Sequence, residues 1–152
     1  MTYSAAEARQ TLLDAVAEAA NEIGVALAYL GEAYELLDEA AADHLEAQLF
    51  RPAQLAYGRA QSAHAEFAAR HAIAARVFAP ATARVAVGGA RGAIDSAVEA
   101  LRAANTRLAD LQDSMLPVEV GDAPLRAALA AIRTMVTPLP GNAREIIRTL
   151  GR

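Results

Sequence analysis

The amino-acid sequence predicts an all-α fold, an antiparallel bundle of three long heptad-patterned helices with two short C-terminal helices. Three observations carry this expectation. Forty-one of the 152 residues are Ala, and the charged residues are Glu, Asp and Arg without a single Lys, a composition rich in strong helix formers. Apolar residues recur every seven positions over long stretches, the period of helices that wind round one another as a coiled coil. The one β-branched cluster, Arg84-Val85-Ala86-Val87, is shorter than typical strands and lies inside a helical register. The chain length suits a single core. Residues 1–116 are expected to form the three-helix bundle and residues 117–152 a C-terminal segment packed on it.

Helix 1 should begin at Ser4, because Ser4 and Glu7 have the spacing of a capping box. Its seam has one row of Leu13, Ala20, Leu27, Tyr34 and Ala41 and another of Val16, Ile23, Leu30, Leu37 and His44. The spacing predicts one helix over about residues 4–49, ended by Arg51-Pro52, since proline removes a donor and restricts its predecessor. A continuous helix kinked at Pro52 is the rival reading. Helix 2 is expected over 53–78, with Tyr57, His64, His71 and Phe78 in one row and Ala60, Phe67 and Ala74 in the other. Helix 3 is expected over 82–116, capped by Thr82 and presenting Val87, Ile94, Leu101, Leu108 and Met115. Gly88, Gly89 and Gly92 weaken its first turns, so that stretch is read as frayed or as a loop. Asp122 caps a short helix over about 123–137, with Leu125, Ala128, Leu129, Ile132 and Val136 on one side. Pro138-Leu139-Pro140-Gly141 should stop it, and Asn142 with Glu145 should start a last helix over about 143–150.

Composition also limits function. With no Cys, disulfides, thiolate nucleophiles and Cys-ligated metal sites are out of reach. Neither a signal peptide nor a membrane span is legible, so a cytoplasmic protein with no membrane partner is expected. The absence of Lys reads as the base composition of a GC-rich bacterial genome. Charge divides unevenly: residues 1–50 hold ten acids and one Arg, whereas residues 51–152 hold thirteen Arg and eight acids, for nets of −9 and +5. Such asymmetry can steer the halves together or draw an acidic partner to the second half.

Geometry then suggests an oligomer. A helix from residue 4 to 49 is about 68 Å long and helix 2 about 40 Å, so a reversal at Pro52 leaves Leu12 to Ile23 without cover. Burying such side chains is worth about 1.5–3 kcal/mol each. Gly24 and Gly31 lie on one flank of the seam, where a mid-helix Gly suits the close approach of another backbone. The expected partner interface is therefore Leu12, Leu13, Val16, Ala20, Ile23, Gly24 and Gly31, used against a second copy or another helical protein.

Motifs for chemistry are sparse. His64 and His71 lie seven residues apart, too far to share one metal ion, and no Glu-x-x-His pair of the di-iron type occurs. Glu32 and Glu35 read as surface charge. Gly88-Gly89-Ala90-Arg91-Gly92 follows no strand and lacks the Lys of a phosphate loop. Arg126, Arg133, Arg144, Arg148 and Arg152 could meet nucleic acid, but no aromatic residue is interleaved with them. Tyr29-Leu30-Gly31 and Tyr34-Glu35-Leu36-Leu37-Asp38 resemble the aromatic-x-Gly and Tyr-x-x-x-Asp/Glu signatures of the helical hairpins exported by type VII secretion. In that family the triplet sits in the interhelical turn and the tyrosine signal follows the second helix, whereas both fall mid-helix here, and the resemblance is not adopted. The leading expectation is a non-enzymatic helical interaction or assembly protein without cofactor or metal. The runner-up is a small-ligand or cofactor bundle using Tyr57, His64, Phe67 and His71, and the third is Arg-mediated nucleic-acid binding.

Overall fold

Ser4 opens the first helix as its spacing predicts: its hydroxyl accepts the Glu7 N–H at 3.1 Å, and the Glu7 carboxylate accepts the Ser4 N–H. The computed structural model describes residues 4–84 and 87–150. Within it, α1 (Ala5–Glu35) ends far earlier than the heptads suggest, at the C-cap Leu36. Asp38 starts a new helix by accepting the Ala41 N–H at 2.8 Å. The expected continuous helix to residue 49 is thus broken at 36–38, with neither Gly nor Pro at the break.

The chain runs helically through the place where an end was expected. Between α2 (Glu39–Leu45) and α3 (Arg51–Arg70) lies a π-helical turn, Glu46–Phe50, and the Arg51 N–H reaches five residues back to the Glu46 carbonyl. In a regular helix Pro52 would collide with the Gln48 carbonyl and leave it without a donor. The wider turn accommodates the ring. Asn142, 94 residues on, donates its side-chain N–H to that Gln48 carbonyl at 2.9 Å. Residues 39–70 therefore form one rod, and the rival reading of a helix that continues past Pro52 is the correct one.

α3 stops at Arg70 rather than residue 78. The Ile73 N–H bonds to the Ala68 carbonyl and the Ala72 N–H to the Ala69 carbonyl, while Ala72 adopts φ 54°. This is a Schellman termination with alanine in the left-handed position usually held by glycine. A strap without helix follows over residues 71–84, and the expected cap Thr82 lies inside it. Gly88 (φ 97°) leads into α4 (Gly89–Asp113), so the glycine-rich stretch is the helix start and not its interior. Val87, expected in the seam, is 93% exposed. Part of the Arg84–Val87 cluster falls outside the described residues, among which there is no strand.

A single turn, α5 (Leu116–Glu119), precedes α6 (Ala123–Val136), which Asp122 caps and whose buried face is the expected one. α7 (Leu139–Leu150) starts four residues early: Pro140 sits in its first turn, where no backbone donor is required, and Asn142 lies inside the helix rather than capping it.

Numbering runs oppositely in α1 and α4, since Arg107 pairs with Glu18 (2.7 Å) and Glu22 (3.4 Å) and Arg9 donates to the Val120 carbonyl. It also runs oppositely in α1 and α3, where Tyr57 lies on Gly24 and not beside His44 as a reversal at Pro52 would require. α3 and α4 are consequently parallel to each other, and the strap carries the chain back along the molecule between them. α1 packs most extensively on α4, α6 closes over α3, and α7 over α4 and the π-helical turn. Ala19, Ala20, Ala26 and Ala33 of α1 and Ala93, Ala97 and Ala104 of α4 are all buried, which lets these backbones approach closely.

Candidate interaction cleft

The residues expected to meet a partner are mostly spent inside the chain. Leu12, Leu13, Val16, Ala20 and Ile23 are each no more than 1% exposed and belong to one core with Ile94, Leu101, Leu108, Leu125 and Leu129. The expectation that Leu12 to Ile23 lacked cover rested on a 4–49 helix. With α1 ending at Glu35 and α4 running antiparallel beside it, its own chain supplies the cover. Gly24 does mark a close approach, but to a side chain: a Cβ there would stand 2.7 Å from Tyr57 Cε2. Gly31 has no atom within 4 Å of a Cβ and is open.

The Tyr57, His64, Phe67 and His71 row is likewise divided among different surroundings. Phe67 is buried, with the His71 ring 4.4 Å from its own. His71 Nε2 lies 3.0 Å from Asp122, which also accepts two bonds from Arg70 (2.7 and 2.9 Å) and the Leu125 N–H. The Arg70 guanidinium foremost, then the Leu125 N–H and His71, hold the Asp122 carboxyl far below the usual carboxylate range against the opposing effect of burial. This cluster ties the end of α3 to the start of α6 and leaves no oxygen of Asp122 unengaged. His64 is buried, its Nδ1 has no hydrogen-bond partner, and Phe78 of the strap sits edge-on at 5.1 Å. Burial first and the nearby Arg76 second push its pKa down, with Asp14 opposing. These four residues, drawn from the two heptad rows of one helix, thus serve separate packing and capping tasks.

What the fold leaves open is a cleft between α1 and the π-helical turn with α3. Gly24, Leu27, Ala28, Phe50, Gln54, Tyr57 and Gln61 line a hollow of about 380 Å³ closed on one side by Phe78, Pro80 and Ala81 of the strap. Phe50 also lines a second hollow of about 270 Å³ with Gly31, Tyr34, Glu35 and Glu46, so the two adjoin at this side chain. Tyr34 is 39% exposed there, and Leu36 just beyond is 58% exposed. A depression of about 530 Å³ between α4 and α6 is larger but has no aromatic wall, and its one cation, Arg133, is engaged by Asn105 and Gln112.

Phe50 and Glu46 escape a sequence reading because the turn that presents them is created by Pro52. Tyr34 carried a signal. In a straight helix a seven-residue row drifts by about 20° per heptad. Leu13 and Ala20 are accordingly buried, Leu27 half-buried and Tyr34 exposed, the row turning from core to cleft.

Glu35 and Glu46 are the acids that line the second hollow, and Glu39 and Asp43 line a separate one with Asp38. Glu32, Glu35, Glu39 and Asp43 have no cation within 4.0 Å among the described residues, and Glu46 has only Arg51 at 3.9 Å, both well exposed. The arginines expected to meet nucleic acid are dispersed: Arg126 donates to the Pro117 carbonyl, Arg148 pairs with Glu145, and Arg152 lies outside the described residues. Among the described residues no three His, Asp or Glu side chains are placed to hold a metal ion, and no helix is long and apolar enough to cross a membrane. No protein-family model matches the chain, and neither a curated protein nor a solved structure matches it.

Proposed function

We propose that the chain is a non-enzymatic helical interaction or assembly protein that meets its partner at the cleft between α1 and α3. The carrying observation is a pair of adjoining hollows that share Phe50 as a wall, with Leu27 and Tyr57 lining the first, Tyr34 the second, and Glu35, which has no cation within 4.0 Å among the described residues, also on the second. Aromatic side chains in a concave patch are the usual anchors of interfaces, because they bury much area at little conformational cost. The perturbed groups elsewhere, Asp122 and His64, are accounted for by capping and burial. The reading keeps association as the function and moves it from the helix 1 seam to the adjoining cleft.

Photo-crosslinking in the native host tests it. A photoreactive residue at position 34 or 50 should give a discrete adduct, and one at the exposed Arg102 should not. An adduct of twice the chain mass means self-association, and any other mass means a different protein. Adducts from neither cleft position, or equally from position 102, would dispose of the reading.

One observation favours a second reading. A hollow of about 380 Å³ walled by Phe50, Tyr57 and Phe78 falls in the size range of small-molecule sites. Native mass spectrometry of the purified protein would then show a stoichiometric mass excess, whereas the bare chain mass counts against it.

A further inference from the structure

We infer that the open, acidic end of the cleft receives an extended basic segment of a partner protein carrying one aromatic or aliphatic anchor beside an arginine. The inference rests on the interaction reading above and specifies the chemistry of the partner.

The chain itself shows how the groove is filled. At its closed end the strap inserts one anchor, Phe78, edge-on to Tyr57 (6.5 Å, 73°) and to His64 (5.1 Å, 80°). Two residues earlier, Arg76 approaches Asp14 of α1 at 3.5 Å, while Val77 between them is 92% exposed. Contact thus alternates with solvent over these three residues. Pro80 and Ala81 then flank the first hollow, whereas no described strap residue lines the second, which adjoins it at Phe50.

The vacant end repeats the same chemistry. Tyr34 and Phe50 supply aromatic walls, and Gly31, with nothing within 4 Å of a Cβ, leaves room for an anchor. Glu35 and Glu46 lie on the lining itself; among the described residues Glu35 has no cation within 4.0 Å and Glu46 has only the exposed Arg51 at 3.9 Å, while Glu39 and Asp43 of the adjacent α2 line a neighbouring shallow hollow with Asp38 and add to the negative field. Such a field favours a cationic segment and raises its rate of encounter. An acidic or neutral segment would leave Glu35 without a counter-charge and Glu46 with only the exposed Arg51.

The test uses the full chain and a fluorescent peptide of the strap sequence, residues 74–84, with a twin carrying R76E and R84E. Anisotropy at low ionic strength should show saturable binding of the first peptide and none of the twin. The double variant E35Q/E46Q, checked for helicity by circular dichroism, should weaken binding about threefold to tenfold, as exposed charge pairs do. D14N should leave it unchanged. Failure of the basic peptide to bind, equal binding of the twin, or sensitivity to D14N in place of E35Q/E46Q would overturn the inference, the last because the peptide would be displacing the strap. If the peptide fails while crosslinks from positions 34 and 50 persist, only the basic-anchor chemistry falls. Loss of the crosslinks removes the interaction reading itself.

Discussion

Asp122 and His64 respond to acid in different ranges, and each sign follows from its surroundings. Asp122 is stabilised as a carboxylate by Arg70, so its contribution is present above the ordinary value of 3.8 and is lost as pH falls from there toward the depressed pKa. Asp122→Ala removes both the α6 cap and the Arg70 bonds and should cost about 1–3 kcal/mol in chemical denaturation at neutral pH. Asp122→Asn, which keeps an oxygen for Leu125, should cost less. His64 is held neutral by burial and Arg76, so the folded state begins to lose stability as pH drops below 6.5, where the unfolded chain takes up a proton that the folded one refuses. His64→Leu should flatten that range while leaving stability at higher pH undiminished, because it also removes the unpartnered Nδ1. Denaturation midpoints measured across pH would separate the two residues.

At the scale of elements, the helix ends carry the information that heptads lack. Ser4 and Asp122 are legible caps, because the side chain and its backbone partner lie three residues apart. Asp38 has the same geometry but is hidden inside a row of apolar repeats. Ala72 is less legible still, since the left-handed residue of a Schellman end is ordinarily glycine and nothing in Arg70-His71-Ala72 announces one. Ala72→Gly should therefore stabilise the protein by about 0.5–1 kcal/mol, relieving the positive φ on an exposed residue. A drop in thermal midpoint for this variant would show that the strap begins elsewhere. Pro52 is the converse case, a legible breaker that breaks nothing, because a π-helical turn and Asn142 absorb it.

For the whole molecule, the small residues shared by α1 and α4 set how closely the bundle closes. Ala97 is fully buried on α4, the helix that packs most extensively on α1. Ala97→Leu should cost about 1–3 kcal/mol by overpacking, read as a lower denaturant midpoint. The strap is the other global feature: because α3 and α4 run parallel, the chain must travel back along the molecule, and in doing so it walls one side of the hollow between α1 and α3. The adjoining hollow receives no described strap residue. Its walls, Tyr34 and Phe50, come from elements whose relative placement depends on the break at 36–38.

The sequence by itself determined the helical class, the buried rows Leu13–Val16–Ile23–Leu30 and Ile94–Leu101–Leu108, and the buried face of α6, because periodicity and short-range capping are local properties of the chain. Tertiary structure decided where the rods begin and end, which face of α1 is covered, and that the partner surface expected at Leu12 to Ile23 is interior. The reason is range. Asn142 meets Gln48 across 94 positions, Arg107 meets Glu18 across 89, and α4 comes to lie on α1 only after the strap has crossed the groove. Contacts at such separations leave no periodic trace in the residues that make them.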